Sequence, residues 1–329
     1  MSFPKISVII PTYNRASYLD QTISSVLSQK NAAFEVIISD NCSQDNTEDV
    51  VKKYLSDSRV KYFKNSVNVG MVKNWREAVY KRTNAEWFII LSDDDYFIND
   101  NYLENVIDYI NSGENVVLVY GEGLILDETT KKTTFLSLPF DGVVSGVDVF
   151  MSRGTIKPQD ATLCNMVFNK KIAIQLDAFS NPDNLSCDSE LYLKTALLGN
   201  VAVIKGENSV YRFHPGNLVK TISSSAPLRL GNLDFIFSTY NFAKEKISSN
   251  QLRIFLNNIN AVKAIQGCLL NMACIDKDEY LKCKNNLFDK NSYLVDLATN
   301  ANSFKIKLFM INKFSALLPI YFYVRRALK

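Results

Sequence analysis

Short, unbroken apolar runs recur through the first 121 residues, and they limit what this chain can fold into. KISVIIP (5–11), FEVIIS (34–39), WFIILS (87–92) and NVVLVYG (115–121) show no alternation of apolar and polar positions. A strand with one wet face alternates, whereas a strand covered on both faces does not. Segments of helical character lie between them. Residues 15–29 set Leu19, Ile23, Val26 and Leu27 on one face, Asp45 or Asn46 caps a helix running to Tyr54, and 71–82 read as a third helix. VKYFK (60–64) supplies one more strand. This order predicts an α/β fold with a Rossmann-like, mostly parallel sheet and helices on both faces. Ligands of such sheets bind beyond the carboxyl ends of the strands, near the point where strand order reverses. Asp40 follows the second strand and Asp93, Asp94 and Asp95 follow the fourth, so both acidic sites are expected to face one crevice.

The pattern is less regular beyond residue 123. A hairpin is expected over 124–136, a helix over 145–153, a strand over 162–169, a helix over 187–198 and strands over 200–204 and 209–214. From 226 onward the sequence reads as helical and is poor in glycine. Two domains are therefore expected, 1–225 and a helical C-terminal region 226–329, divided near 222–230. With 47% hydrophobic and 22% charged residues in 329, the chain has enough apolar material for a core. A net charge of +3 gives no sign of nucleic acid as the main partner. That total hides an asymmetry: after Asp296 come six basic residues and no acidic one, which leaves residues 1–296 at −3. The six cysteines form no C-x-x-C pair, which argues against a zinc ribbon and for free thiols in a reducing compartment. An apolar strand begins by Ile6, so no signal peptide is expected, and no window has the length of apolar sequence a spanning helix needs.

Three adjacent aspartates repel one another unless a counter-charge sits among them. A divalent Mg²⁺ or Mn²⁺ ion would supply it, because hard cations prefer carboxylate oxygen. The bland alternative is a solvated acidic turn capping a helix at 101–110. Asp40, directly after a buried strand, can accept a hydrogen bond from a base N–H or simply close an Asx-turn. His214 is the only histidine, so zinc sites built from several histidines are excluded. No G-x-S-x-G elbow or Walker A sequence occurs, and GEGLIL (121–126) lacks the third glycine of a dinucleotide fingerprint. Asp188 and Glu190 lie two apart at a helix start, so one can face the crevice while the other complements the helix dipole.

Taken together, ISVIIPTYNRASYLDQTISSVLSQ, ISDNCSQDNT, NVGMVKNWREAV, LSDDDYF, CDSELYLKTALLG and YRFHPGN resemble, in order, the motifs of family 2 inverting glycosyltransferases of the GT-A fold, above all the bacterial enzymes of O-antigen and capsule synthesis. The resemblance covers about residues 5–217 and makes 1–225 the catalytic domain. It implies that Asp40 reads the base of a nucleotide-sugar donor, with Tyr13 against it and Pro11 and Thr12 shaping the pocket. It implies donor-side roles for Asn68, Gly70 and Asp93, the last near the ribose. Asp94, or else Asp95, would hold Mg²⁺ or Mn²⁺ on the diphosphate, with His214 as a further ligand. Asp188 would be the general base, with Glu190 as its alternative, because Cys187-Asp188 stands where the family commonly has Glu-Asp. Ser92 also stands where the family often has Asp. The Q-x-x-R-W segment of processive synthases is absent, which implies transfer of one sugar.

The implied acceptor is a glycan or lipid-linked saccharide, and the implied place is cytoplasmic, at the inner face of the membrane. The tail KIKLFMINKFSALLPIYFYVRRALK (305–329) mixes apolar and basic residues. It suits either an anionic membrane surface or a docked C-terminal helix. Two other readings compete. A sugar-nucleotide nucleotidyltransferase would want a Gly-rich basic loop after the first strand, which PTYNRASYLD lacks. An inactive assembly scaffold would be expected to have lost the metal-site or base carboxylates, and both are present.

Overall fold

The computed structural model describes residues 5–154, 163–217, 226–275 and 277–313. The chain divides into two compact units, Met1–Asn217 and Leu218–Lys329. Residues 155–162, part of the expected boundary segment (222–225) and the tail from 314 onward fall outside the described residues.

The first unit is built on an eight-stranded sheet. β1 (Ile6–Thr12), β2 (Phe34–Asp40), β3 (Val60–Lys64) and β4 (Trp87–Ile90) are parallel neighbours in the order β3-β2-β1-β4. Their crossovers are α1 (Ala16–Leu27), α2 (Thr47–Lys52) and α3 (Met71–Glu77). Every residue of β2 and of β4 is buried, which is why these runs carry no polar alternation. Helix α1 buries Leu19, Thr22, Ile23 and Val26, close to the face its spacing predicts.

Beyond β4 the sheet turns mixed. β5 (Tyr96–Phe97) leaves for a second sheet, and α4 (Tyr102–Ile110) leads to β6 (Val116–Gly121). Between β4 and β6 lies β10 (Met166–Asn169), antiparallel to both. β11 (Asn200–Ile204) runs parallel to β6, and β9 (Gly142–Ser145) is antiparallel to β11. The chain quits the sheet at the acidic turn after β4, and the neighbouring lane is filled later by a strand arriving from the other end. The expected hairpin is β7 (Gly123–Asp127) with β8 (Lys132–Leu136). With β5 and β12 (Ser209–Phe213) they form a four-stranded sheet in the order β5-β12-β7-β8. Among the described residues this unit has three more α-helices, α5 (Gly146–Ser152), α6 (Lys170–Gln175) and α7 (Cys187–Ala196).

The helix expected over 71–82 is two pieces, since α3 gives way to a wider π-helical turn over Ala78–Arg82. That turn brings Arg82 to the Ser39 hydroxyl at 2.6 Å and the Asn65 side-chain Oδ1 at 2.5 Å, at the ends of β2 and β3.

The second unit is helical: α8 (Ala226–Ala243), α9 (Ser249–Asn258), α10 (Ala261–Ile275), α11 (Lys277–Lys290), α12 (Ser292–Thr299) and α13 (Asn302–Lys313). Phe255, Ile265, Leu269, Leu294 and Phe304 are buried there. Ser248 and Gln251 make a reciprocal capping box at the start of α9. Among the described residues no helix is long and apolar enough to cross a membrane.

Candidate active site

The acidic turn after β4 is buried, so it is not a solvated cap. Asp93, Asp94 and Asp95 are 4%, 3% and 1% exposed, and Asn101 rather than an aspartate begins α4. The Thr22 hydroxyl of α1 lies 2.8 Å from the carbonyls of both Asp93 and Asp95 and fixes the turn on that helix. The three carboxylates then meet different sets of partners, with Arg15 common to Asp93 and Asp94. Asp93 faces the Tyr13 N–H and the Arg15 guanidinium, with Arg15 Nη1 at 3.3 Å. Burial nevertheless pushes its carboxyl up to about 7, with Arg15 opposing and Asp94 adding to the rise. Asp94 Oδ2 is bonded by Arg15 Nη1 and lies 2.9 Å from His214 Nε2. Asp95 accepts the Arg212 N–H of β12 at 2.9 Å, and burial pushes its carboxyl well up, with Asp94 adding to the rise.

His214 sits just beyond β12 and stacks on Tyr18 of α1 with ring centroids 5.1 Å apart. The sequence expectation thus divides. The structure brings Asp94 and His214 together and commits Asp95 to the backbone of β12. Asp94 and His214 are oxygen and nitrogen donors of the kinds Mn²⁺ and Mg²⁺ accept, and such ions use few protein ligands beside water and phosphate oxygens. No group of three or more His, Cys, Asp or Glu side chains suited to a metal occurs among the described residues. The pair therefore fits a cation whose shell the substrate completes.

Pro11, Thr12 and Tyr13 close the end of β1. Thr12 is buried with its hydroxyl beside the Asp93 carboxylate, and Tyr13 is 43% exposed. Asp40 ends β2 fully buried. It accepts Ser43 N–H at 2.7 Å and the Tyr62 hydroxyl at 2.6 Å, an Asx-type closure of its loop. Asn68 accepts Gly70 N–H at 2.9 Å and Asn41 Nδ2 at 2.8 Å, which ties the loop after β3 to the loop after β2. Gly70 enters α3 at φ 86, in the left-handed region that favours glycine.

Asp188 and Glu190 open α7 and differ in their ties. Glu190 is held by Lys194 at 2.5 Å and by Asn184. Asp188 accepts the Ser189 N–H at 2.7 Å, and burial pushes its carboxyl up. Tyr211 of β12 connects this helix with the acidic turn. Its phenol is raised by burial first, and then by the charges of Asp95, Asp94 and Asp188, so these groups share one neighbourhood.

Sequence reasoning passed over Arg15, Tyr18, Tyr211 and Arg212. Arg15 had a signal, as the cation directly after the β1 loop in a chain that must neutralise three aspartates. Tyr211 and Arg212 lie in YRFHPGN but were given no role, and Tyr18 had no signal, because their partnerships depend on β12 lying beside α1. Arg212 lies over the Tyr18 ring at 5.1 Å and the Tyr96 ring at 4.6 Å, while Tyr18 donates to Glu128 at 2.9 Å.

Residues 7–170 match the family model for Glycosyl transferase family 2. The poly(ribitol-phosphate) beta-N-acetylglucosaminyltransferase TarS of Staphylococcus aureus is 31% identical over 40% of this chain and 25% of its own. The putative teichuronic acid biosynthesis glycosyltransferase TuaG of Bacillus subtilis is 29% identical over 41% of this chain and 54% of its own. The GalNAc(5)-diNAcBac-PP-undecaprenol beta-1,3-glucosyltransferase of Campylobacter jejuni is 31% identical over 46% and 48%. The chain thus spans from a quarter to about half the length of these relatives. Among solved structures, S. aureus TarS 1–349 in complex with UDP-GlcNAc superposes with a TM-score of 0.55 at 16% identity, covering 89% of this chain and 90% of that one. The mannosyltransferase PcManGT of Pyrobaculum calidifontis, in complex with GDP-Man and Mn²⁺, gives 0.53 at 15% identity, covering 95% and 88%. These likenesses identify the fold as GT-A.

Proposed function

Because residues 7–170 belong to glycosyl transferase family 2, we propose that the chain moves one sugar from a nucleotide-sugar donor to a saccharide acceptor with inversion. The observation that carries this reading is the meeting of Asp94, His214 and the buried end of β1, with Asp188 in the same electrostatic neighbourhood through Tyr211. Asp188 is the general base in this reading. Its raised pKa suits a group that must take a proton near neutral pH, whereas Glu190 is occupied by Lys194. The acceptor oxygen bonds to the anomeric carbon as its proton passes to Asp188. The bond to the diphosphate oxygen breaks, and its electron pair leaves with the nucleoside diphosphate. Attack from the opposite face inverts the anomeric centre. Asp94 and His214 would hold Mg²⁺ or Mn²⁺, which when bound neutralises charge on the leaving diphosphate. Asp93 faces the donor ribose. Tyr13 covers the base, the loops of Asp40 and Asn68–Gly70 form the rest of its pocket, and Pro11 and Thr12 form its floor.

The relatives' names support a role in bacterial surface-polysaccharide synthesis, and the C. jejuni enzyme's name supports a lipid-linked acceptor. The basic residues of the tail suit peripheral contact with an anionic membrane. The two-domain division, with catalysis in 1–225 and a helical region in 226–329, belongs to the same proposal. Calorimetry with UDP, CDP, dTDP and GDP, each with and without Mn²⁺, tests the donor site. The expected result is one nucleotide whose binding Mn²⁺ tightens at least about tenfold, an effect lost in Asp94→Asn. Folded protein that binds none of the four overturns the reading.

A further inference from the structure

The position expected for a cation is already filled by a side chain. Arg15 Nη1 bonds Asp94 Oδ2, the same oxygen that meets His214, and also reaches Asp93 Oδ1 at 3.3 Å. Its Nη2 donates to the Gly216 carbonyl at 2.9 Å, which pins the turn that carries His214. His214 is closed to a cation as well. Gly216 N–H donates to His214 Nδ1 at 3.1 Å, so on the hydrogen bonds made, Nε2 carries the proton and donates to Asp94. Both partners of Asp94 Oδ2 are therefore donors, and neither leaves that oxygen a free lone pair toward the crevice. Arg212, the other nearby guanidinium, is directed elsewhere, to Gln21 and between two tyrosine rings. Arg15 itself has a way out, because its side chain is 29% exposed at the start of α1.

We propose that Arg15 is an internal counter-cation that keeps the metal subsite shut in the nucleotide-free protein and exchanges with the divalent ion when a nucleoside diphosphate arrives. This rests on the donor-site reading above. The physical reason is a balance of charge. Asp93 and Asp94 are both buried within reach of Arg15, and a guanidinium offsets them at no cost in free metal. A dication entering alone must displace that guanidinium. A dication entering with a diphosphate brings anionic oxygens for the displaced guanidinium to bond. Metal and nucleotide then bind as a unit, and the empty site does not collect metal.

The test is Mn²⁺ binding to nucleotide-free protein, read from the EPR signal of free Mn²⁺, with circular dichroism confirming the fold. The variants are wild type, Arg15→Gln, Asp94→Asn and the double variant, with Arg15→Met taking the place of Arg15→Gln should the latter not fold. Arg15→Gln is expected to bind Mn²⁺ at least about tenfold more tightly than wild type, because a unit charge a few ångströms from the ion is gone. The gain is expected to vanish in the double variant. Equal or weaker Mn²⁺ binding by Arg15→Gln, where that binding still depends on Asp94, overturns the counter-cation role and leaves the donor-site reading standing. A gain that survives Asp94→Asn overturns both.

Discussion

The two carboxylates that open α7 show how environment separates residues of equal chemistry. Asp188 and Glu190 lie two apart, and sequence alone left both open as the base. Lys194, one turn beyond Glu190, takes it into an ion pair at 2.5 Å, and a base held by an ammonium is a poor proton acceptor. Among the described residues Asp188 has no such cation in bonding contact, and burial raises its pKa against the opposing charge of Arg153. Asp188→Asn is therefore expected to lower kcat by about a hundredfold or more with little change in donor KM, whereas Glu190→Gln changes kcat by less than about tenfold. Steady-state kinetics on a donor identified by calorimetry reads both, and comparable losses from the two variants would reject the assignment. The aspartates after β4 teach a related lesson. Their adjacency in sequence implied a shared task, yet Asp93 and Asp94 share Arg15 whereas Asp95 is taken up by the backbone of β12.

At the scale of elements, α7 is placed by the start of α5. Gly146 lies so close to the end of α7 that an added Cβ would come within 1.9 Å of the Ala196 carbonyl and 2.4 Å of the Gly199 carbonyl. Its N–H donates to Gly199 at 3.1 Å, so the backbone itself is the contact surface. Gly146→Ala must push α5 and the end of α7 apart. A loss of about 1–3 kcal/mol is expected, read as a lower urea midpoint at unchanged slope. A midpoint equal to wild type would show that the two elements part freely. The sequence made Gly146 only one glycine among 12. The strands were easier to read, since unbroken apolar runs fixed β1, β2 and β4 within a residue or two. The antiparallel lane of β10 was not legible, because pairing direction is settled by which strands meet, and that is long-range.

Across the whole first unit, the two sheets are joined by a buried carboxylate. Glu122 stands between β6 and β7 and accepts Lys205 at 2.6 Å, the Leu138 N–H at 2.8 Å, Gly206 N–H at 3.0 Å and the Ser137 hydroxyl at 3.1 Å. Burial raises its pKa, but Lys205 and the two backbone N–H groups outweigh that and leave it below the usual carboxylate range. A depressed folded-state pKa gives stability that is fully present above the unfolded value and is lost as pH falls through the folded one. Glu122→Gln is thus expected to cost about 1–3 kcal/mol at pH 7. The difference from wild type should narrow below about pH 4.5. Urea unfolding at the two pH values measures it, and a cost independent of pH would mean that shape rather than charge holds the joint.

By itself the sequence determined the α/β class, the five longer strands and most of the helices between them through residue 121, the helical C-terminal region and a set of candidate residues for the chemistry. These follow from local periodicity and side-chain type, which neighbours in the chain are enough to set. Only the tertiary structure decided which acidic residue meets His214, that Arg15 reaches Asp93 and Asp94, and that Asp95 is taken up by the backbone of β12. Those outcomes depend on β12 and its turn lying against α1 and the end of β4, more than a hundred residues away in the chain. A charge finds its partner through space, and in this chain the partners come from segments whose closeness no local pattern encodes.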